Sequence, residues 1–416
     1  MRVAVIGAGV VGTTTALQLA TRGHEVTVLE AANAPAQGAS FANAGLISPG
    51  HSFSWASPGV LHALGGVVAG TDDAMGIARW SDPALWPWGL RFLRECTAAR
   101  WRRNSAASVA LSAYSRTLQV NQREVAAADY GHAAAGIVYL LAPGQACDAQ
   151  ELALLDLARE PYETLDSAGI ARAEPLLAPA VQRFGAGILC RTDATGNART
   201  FTERAAQSAQ ALGAQFHFGQ QVQGLQMENS RVTGIRTAQT FWACDAVVMA
   251  GGLGAATLSR PLGYRLPIYP VTGYSVTYAH HDTLGLQPRM GAVSLQHKIA
   301  WASFGKAVRF TGFADIGIPR SHALVRRRMA ALERFAASIY APATTLQPRH
   351  WTGQRPMTPD GLPILGRSSR HANLFFNCGH GAMGWTMASG SAQLVCDQLD
   401  GLPPAIDLAP YRCDRF

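Results

Sequence analysis

Lysine is almost missing. Only Lys298 and Lys306 occur in 416 residues, so nearly all of the 35 basic side chains are arginine. They are dispersed, with Arg326-Arg327-Arg328 the densest run, and a net charge of +8 spread this way reads as a solvated basic face. No nucleic-acid partner is expected. Charge of either sign is scarce at 15%, against 48% hydrophobic residues, which excludes a disordered chain. The 42 glycines and 22 prolines follow no period, which excludes collagen and low-complexity readings. Cysteine pairs are lacking as well. The seven cysteines are odd in number and form no C-x-x-C motif, which argues against a disulfide framework or a thiolate zinc site and fits a reduced cytoplasm. His280-His281 is the only histidine pair, and adjacent residues do not face one site on a helix, so no metal is expected. No apolar run reaches the roughly 18 residues of a spanning helix. The apolar start Arg2 to Gly12 is cut by Gly7, Gly9 and Gly12, and reads as strand, turn and helix rather than a leader.

What is present begins at that first turn. Val3-Ala4-Val5-Ile6 is a β-branched, apolar strand of the kind buried in parallel sheets. Gly7-Ala8-Gly9-Val10-Val11-Gly12 follows at once and matches G-x-G-x-x-G. Gly7 suits the tight turn, Gly9 the approach of a pyrophosphate, and Gly12 close helix–strand packing. A helix is predicted from Val10 to Thr21, with its N-terminal amides and dipole facing the phosphates. A second strand, Glu25 to Leu29, ends at Glu30, where an acceptor for ribose hydroxyls belongs. That carboxylate disfavours a 2′-phosphate and so NADP; FAD and NAD both remain open on this motif.

A second glycine turn lies near the other end of the chain, in Phe375-Phe376-Asn377-Cys378-Gly379-His380-Gly381-Ala382-Met383-Gly384. It again reads as strand, turn and helix start, but is not a nucleotide fingerprint. A helix N-terminus aimed at the N1 and C2 carbonyl side of a reduced flavin would stabilise its negative charge. Two such turns fit a long bipartite cofactor, FAD, better than NAD.

Between them, Gly38 to Gly59 reads as a long ordered loop. Helices are expected over 80–104, 105–129, 148–159, 201–212 and 321–340, and strands over 137–141, 215–218, 221–225, 231–237, 246–250, 268–278, 308–311 and 374–377. Strand–helix–strand units at both ends flank antiparallel-looking strands. The expected architecture is α/β: a discontinuous Rossmann-type FAD-binding domain (1–78, 191–260, 341–416) with an inserted mixed or antiparallel-sheet α+β substrate domain (79–190, 261–340).

The sequence resembles the FAD-dependent D-amino acid oxidoreductases, the bacterial D-amino acid dehydrogenases above all. The resemblance rests on Val3 to Leu17, on Ser40-Phe41-Ala42-Asn43-Ala44-Gly45 with Ile47-Ser48-Pro49-Gly50, and on Trp55 to Gly59. It continues through Tyr269-Pro270-Val271-Thr272-Gly273-Tyr274-Ser275 and Trp351-Thr352-Gly353-Gln354-Arg355-Pro356, into Gly379-His380-Gly381 and Gly384-Trp385-Thr386. It covers essentially the whole chain and is weakest over 129–193. Thr272 stands where relatives often carry Lys, and Gln354 where the motif often has Leu. The resemblance implies a glutathione reductase-like FAD fold with non-covalent FAD. It implies hydride transfer from the Cα of a D-amino acid to flavin N5, then hydrolysis of the imine to a 2-oxo acid and ammonia. Electrons would pass to a quinone or another respiratory acceptor.

An α-carboxylate calls for a guanidinium. The candidates are Arg309 and Arg355, and the resemblance favours Arg355. Tyr274 is expected to hydrogen-bond the carboxylate, His51 to line the pocket, and His380 to lie near the flavin edge. Expected on the cofactor, besides Val5, the fingerprint and Glu30, are Ser40, Asn43, Ala44 and Gly45, Val222 at the adenine, Gly251 at the pyrophosphate, and Gly379, Gly381, Ala382, Met383, Gly384 and Thr386. The aromatic and arginine mixture between Trp80 and Arg103 suits peripheral contact with the cytoplasmic face of a membrane. Rival readings are an O₂-using glycine or sarcosine-type oxidase, a D-hydroxyproline dehydrogenase, and an inactive flavin-binding relay subunit.

Overall fold

The computed structural model describes residues 1–121, 130–280 and 285–416. The end of the helix expected over 105–129 and the second histidine of the pair at 280 lie outside the described residues.

One sheet of six strands carries both glycine turns. Arg2–Ile6 lies near its centre, parallel to Glu25–Leu29 on one side and Ala246–Met249 on the other. Gln215–His217 extends one edge, in parallel. Leu374–Cys378 pairs in parallel with Ala246–Met249, and antiparallel Ile364–Arg367 closes the other edge. The central strands are apolar and, apart from Arg2, buried, because Val10–Thr21, Ala198–Ala211 and Gly384–Leu399 cover one face and the three-stranded sheet Gly224–Glu228, Arg231–Arg236, Phe241–Ala243, with the short helix Gly254–Ser259, covers the other. Helices Val10–Thr21 and Gly384–Leu399 pack against each other, and both begin at the carboxyl ends of their strands. Crevices at that end of a parallel sheet are where such folds bind ligands.

A second, mixed sheet runs Arg349–Met357, Tyr269–Ala279, Ala307–Ile316, Ile299–Ser303, Gly291–Ser294, Ile137–Leu141, Ala186–Cys190, Glu163–Asp166, with Met75–Ile77 beside the third of these. The helix His322–Ala337 packs on the back of its long strands, burying Met329, Leu332 and Phe335. Arg328 is buried on the same helix, so one member of the arginine run departs from the solvated-face expectation.

The long strands contain a β-bulge. Thr272 pairs with Asp315, but Tyr274 pairs with Gly312, so Ala307–Ile316 carries one extra residue there. Phe313 sits in that bulge with a left-handed φ of 64°, which a non-glycine residue adopts only at a cost.

Several element boundaries depart from the sequence reading. Asn197 accepts the amides of Arg199 and Thr200, so the helix expected from Phe201 starts at Ala198. The strand expected over 221–225 is displaced to Gly224–Glu228. The helix expected over 80–104 is broken: Leu85–Glu95 ends at Cys96, and Ala98–Asn121 begins after it. The first piece buries Leu85, Trp88 and Phe92 and exposes Trp86 and Leu90.

Candidate active site

The carboxyl ends of Arg2–Ile6, Ala246–Met249 and Leu374–Cys378 open onto one cavity of about 690 Å³, whose far wall is the mixed sheet. That is within the roughly 300–1,000 Å³ usual for cofactor sites. Of the fingerprint, Gly7, Gly9, Val10 and Val11 line it, with Glu30 and Ser40. Asn43, Ala44, Val222, Gly251, Gly379, Gly381, Ala382 and Gly384 also line it, as do His380 and Arg355.

Gly7 has φ 105°, and a Cβ there would come 2.8 Å from the Ala250 oxygen. The Glu30 carboxylate accepts the amides of Ala8 at 2.6 Å and Ala32 at 2.8 Å, which locks the turn beside the end of the second strand. Ser40 Oγ accepts the Val10 amide at 3.0 Å. Neither Val10–Thr21 nor Gly384–Leu399 has an acidic side chain in its first turn, so neither helix dipole meets a carboxylate of its own at the cavity.

Six cofactor candidates stand behind the lining. Val5 is fully buried in the core under the turn. Ala8 contributes its amide to Glu30, and Gly12 lies so close to the Gly7 oxygen that a Cβ would overlap it. Gly45 is covered by the Phe304 ring. Met383 caps the last helix. Thr386 Oγ1 accepts the Ser48 amide at 3.1 Å and donates to the Leu46 oxygen, tying the loop after Gly45 to that helix.

The substrate candidates separate. Arg355 lines the cavity beside Trp55, whose ring lies 5.6 Å below its guanidinium carbon. It donates one N–H to the Phe313 oxygen at 3.0 Å, the carbonyl that the bulge turns toward it. No ion-pair partner for Arg355 occurs among the described residues. Burial pulls its pKa down to about 10, a loss partly countered by nearby Tyr274 and Asp315. Gly273 leaves it room, for a Cβ there would fall inside the guanidinium.

Tyr274 departs from its expected role. The next residue along a strand points to the opposite face, so Tyr274 turns away from the cavity and donates to Asp315 Oδ2 at 2.6 Å. Asp315 is held from the same side by Arg328, through Nε at 3.1 Å and Nη2 at 2.6 Å. Both partners are almost wholly buried, so breaking this pair would cost about 3–5 kcal/mol. Arg309 is also diverted. Its Nε donates to Thr277 Oγ1 at 3.0 Å and its Nη1 to the Asn43 oxygen at 2.9 Å, over the Phe304 ring; it ties the cofactor loop to the sheet and does not line the cavity. His51 lies outside the cavity too, against Tyr139 and Phe53, with burial lowering its pKa to about 4. His380 does line the cavity, but its Nε2 meets Ser391 Oγ at 3.1 Å and burial lowers it to about 3, so it is neutral.

Sequence reasoning missed Gly273, Phe313, Asp315, Thr311 and Asp193. Asp193 accepts the Gly50 amide at 3.0 Å and the Tyr139 hydroxyl at 2.6 Å, clamping the middle of the loop between Ala44 and Trp55. Three lining residues hold buried polar atoms without a partner: Thr311 Oγ1, Asn377 Oδ1 and Trp385 Nε1. Unsatisfied buried atoms beside a cavity, together with two glycine cradles, fit a long polar cofactor. Cys378 is at the same wall, but burial pushes its thiol up to about 12 and keeps it protonated.

These features define a flavoprotein oxidoreductase. The family model described as FAD dependent oxidoreductase matches residues 2–398, and the chain belongs to that family, whose cofactor is FAD. The chain is 37% identical over 419 residues to a D-amino acid dehydrogenase of Rhodopseudomonas palustris, covering all of this chain and 98% of that one. It is 35% identical to a D-amino acid dehydrogenase of Bradyrhizobium diazoefficiens, covering all of this chain and 99% of that one. Among solved structures, glycine oxidase from Geobacillus kaustophilus superposes with a TM-score of 0.75 at 24% identity, over 100% and 99% of the two chains. L-proline dehydrogenase from P. horikoshii gives 0.74 at 19%, over 100% and 98%. At those identities the structures speak for the fold, a Rossmann-type FAD unit joined to a mixed-sheet unit.

Proposed function

We propose that this chain catalyses oxidative deamination of D-amino acids to 2-oxo acids and ammonia. The observation that carries the reading is Arg355, a guanidinium with no carboxylate of its own facing the cavity that both glycine turns line. Such a group fits an α-carboxylate. The names of the full-length relatives supply the D-amino acid.

FAD, when bound, supplies the hydride acceptor. The chain then has to orient the substrate and admit a neutral amine. Arg355 holds the carboxylate, with Trp55 beneath it and Gly273 keeping the space open. Among the described residues the one acid that lines the cavity, Glu30, belongs to the other sheet and is occupied by backbone amides. The substrate amine therefore meets no carboxylate that would hold it as an ammonium, and the neutral His380 adds no charge.

The electron acceptor in this reading is a quinone or another respiratory carrier, met at the membrane surface. The support is an exposed apolar face: Trp80 and Trp86, 6.1 Å apart, with Leu90 one turn on and exposed Arg94 beside it. Aromatic residues with arginines suit a lipid interface. Among the described residues no helix is long and apolar enough to cross a membrane.

The test is the visible spectrum of the FAD-loaded protein under anaerobic conditions. D-Alanine should bleach the flavin and L-alanine should not. Bleaching by sarcosine or glycine alone would replace this reading with the amine-oxidase one, and bleaching by nothing in a panel that includes D-proline would favour a relay role.

A further inference from the structure

Arg355 is set by residues that never reach the cavity. Among the described residues its single acceptor is the Phe313 oxygen, which faces it because Phe313 occupies the bulge at φ 64°. A bulge with a left-handed phenylalanine persists only where its surroundings hold it. On the back of the sheet, the Phe313 ring meets Tyr274 edge-on at 6.4 Å and lies 5.0 Å under the Arg328 guanidinium. Two residues after Phe313, Asp315 takes three donor bonds, one from Tyr274 and two from Arg328. Arg328 also donates to the Asp73 oxygen. Gly76 admits the pair, since a Cβ there would come 2.7 Å from Asp315 Oδ1.

The bulge is therefore clamped on both flanks. Tyr274 belongs to the neighbouring strand and Asp315 to the bulged one, so their bond fixes the register shift across the two strands. Resting on the reading of Arg355 as carboxylate clamp, we infer that Tyr274, Asp315 and Arg328 are positioning residues: they hold the Phe313 bulge from behind the sheet, and the bulge carbonyl aims Arg355 at the substrate carboxylate. The selectivity of the enzyme for a carboxylate over a neutral group then depends on three side chains that touch neither substrate nor FAD.

The test uses the FAD-loaded enzyme and two variants that keep most of the network. Tyr274→Phe removes one hydroxyl and keeps the buried ion pair; Arg328→Lys keeps the charge and removes the forked contact. Propionate is the probe, a carboxylate without an amine, and its Kd is read from the change it causes in flavin absorption. In both variants the Kd for propionate and the KM for D-alanine should rise roughly threefold to tenfold, as for loss of an orienting hydrogen bond. The kcat for D-alanine and the turnover of D-alaninamide, which lacks the carboxylate, should stay within about twofold. A lower Tm with an unchanged propionate Kd would overturn the inference, as would equal losses on D-alanine and D-alaninamide. A rise in Tyr274→Phe without one in Arg328→Lys would also overturn it, in favour of direct contact by Tyr274. Arg355→Lys tests the underlying reading separately: if it leaves the propionate Kd unchanged, the clamp itself is wrong, whatever the other two variants do.

Discussion

Gly273 and Arg355 lie on adjacent strands, and the guanidinium fills the space in which a side chain at 273 would stand. Glycine weakens a strand interior, and here the missing Cβ makes room for a cation. Gly273→Ala should push Arg355 from its place. The KM for D-alanine should rise about tenfold or more while FAD content stays normal. Steady-state kinetics beside the flavin-to-protein absorbance ratio checks this, and an unchanged KM would show that Arg355 can move without consequence.

Glu30 accepts two backbone amides at the edge of the cavity. Glu30→Ala leaves both without their charged acceptor, beside the cavity that Glu30 lines. Hydrogen bonds to charged groups contribute about 1.5–3 kcal/mol, so the Kd for FAD should rise at least tenfold. Fluorescence titration of the apoprotein with FAD measures it. Equal affinities would exclude Glu30 from the cofactor site.

Gly12 does not line the cavity, yet a Cβ there would run into the Gly7 oxygen. Gly12→Ala should separate the first helix from the first strand, with loss of bound FAD and a lower Tm together. A variant that keeps full FAD at normal Tm would mean that the turn relaxes freely.

Stability should carry two opposed pH slopes, one from Asp193, which clamps the loop between Ala44 and Trp55, and one from His51 within that loop. Burial raises the Asp193 carboxyl from 3.8 to about 7. Across that window the folded chain keeps a proton that the unfolded chain has lost, so this group makes stability fall with rising pH, by at most about 1.4 kcal/mol per unit. His51 is lowered from 6.5 to about 4, so the unfolded chain holds the extra proton between those values and stability rises with pH. Asp193→Asn removes the first slope and leaves the second. Its Tm relative to wild type should therefore improve as pH rises from about 4 to about 7. A constant difference would mean that Asp193 is ionised in the fold throughout.

Replacing Trp86 and Leu90 with Ser should reduce flotation with anionic vesicles and leave D-alanine turnover with a soluble dye unchanged. Equal flotation would remove the Leu85–Glu95 helix from the acceptor surface.

The fingerprint was legible because its strand, turn, helix and acid are contiguous; the predicted helix bounds, Val10 to Thr21, agree with the structure. The long strands were harder. Arg309 and Asp315 are six residues apart, and a period of two puts them on one face. The bulge between them changes the phase: Arg309 pairs with Thr277 and Asp315 with Thr272, five positions apart, so they face opposite sides. The pattern misplaces Tyr274 at the substrate for a related reason. Its neighbour Gly273, the residue with no side chain to signal it, is the one on the cavity side, while its true partner Asp315 is 41 residues further along. No local pattern announces such a pairing.

The six-stranded sheet joins residues that the ribosome makes far apart in time. Arg2–Ile6 finds Ala246–Met249 only after about 240 more residues, and Leu374–Cys378 arrives later still. At synthesis rates of about 5–20 residues per second, the first glycine turn waits on the order of tens of seconds for the second. Until then an FAD molecule meets half a site, and Ala246–Met249 presents an unpaired apolar edge. Both glycine turns are therefore in place only after Leu374–Cys378 has been made, and a nascent chain stalled before Leu374 carries one of the two cradles.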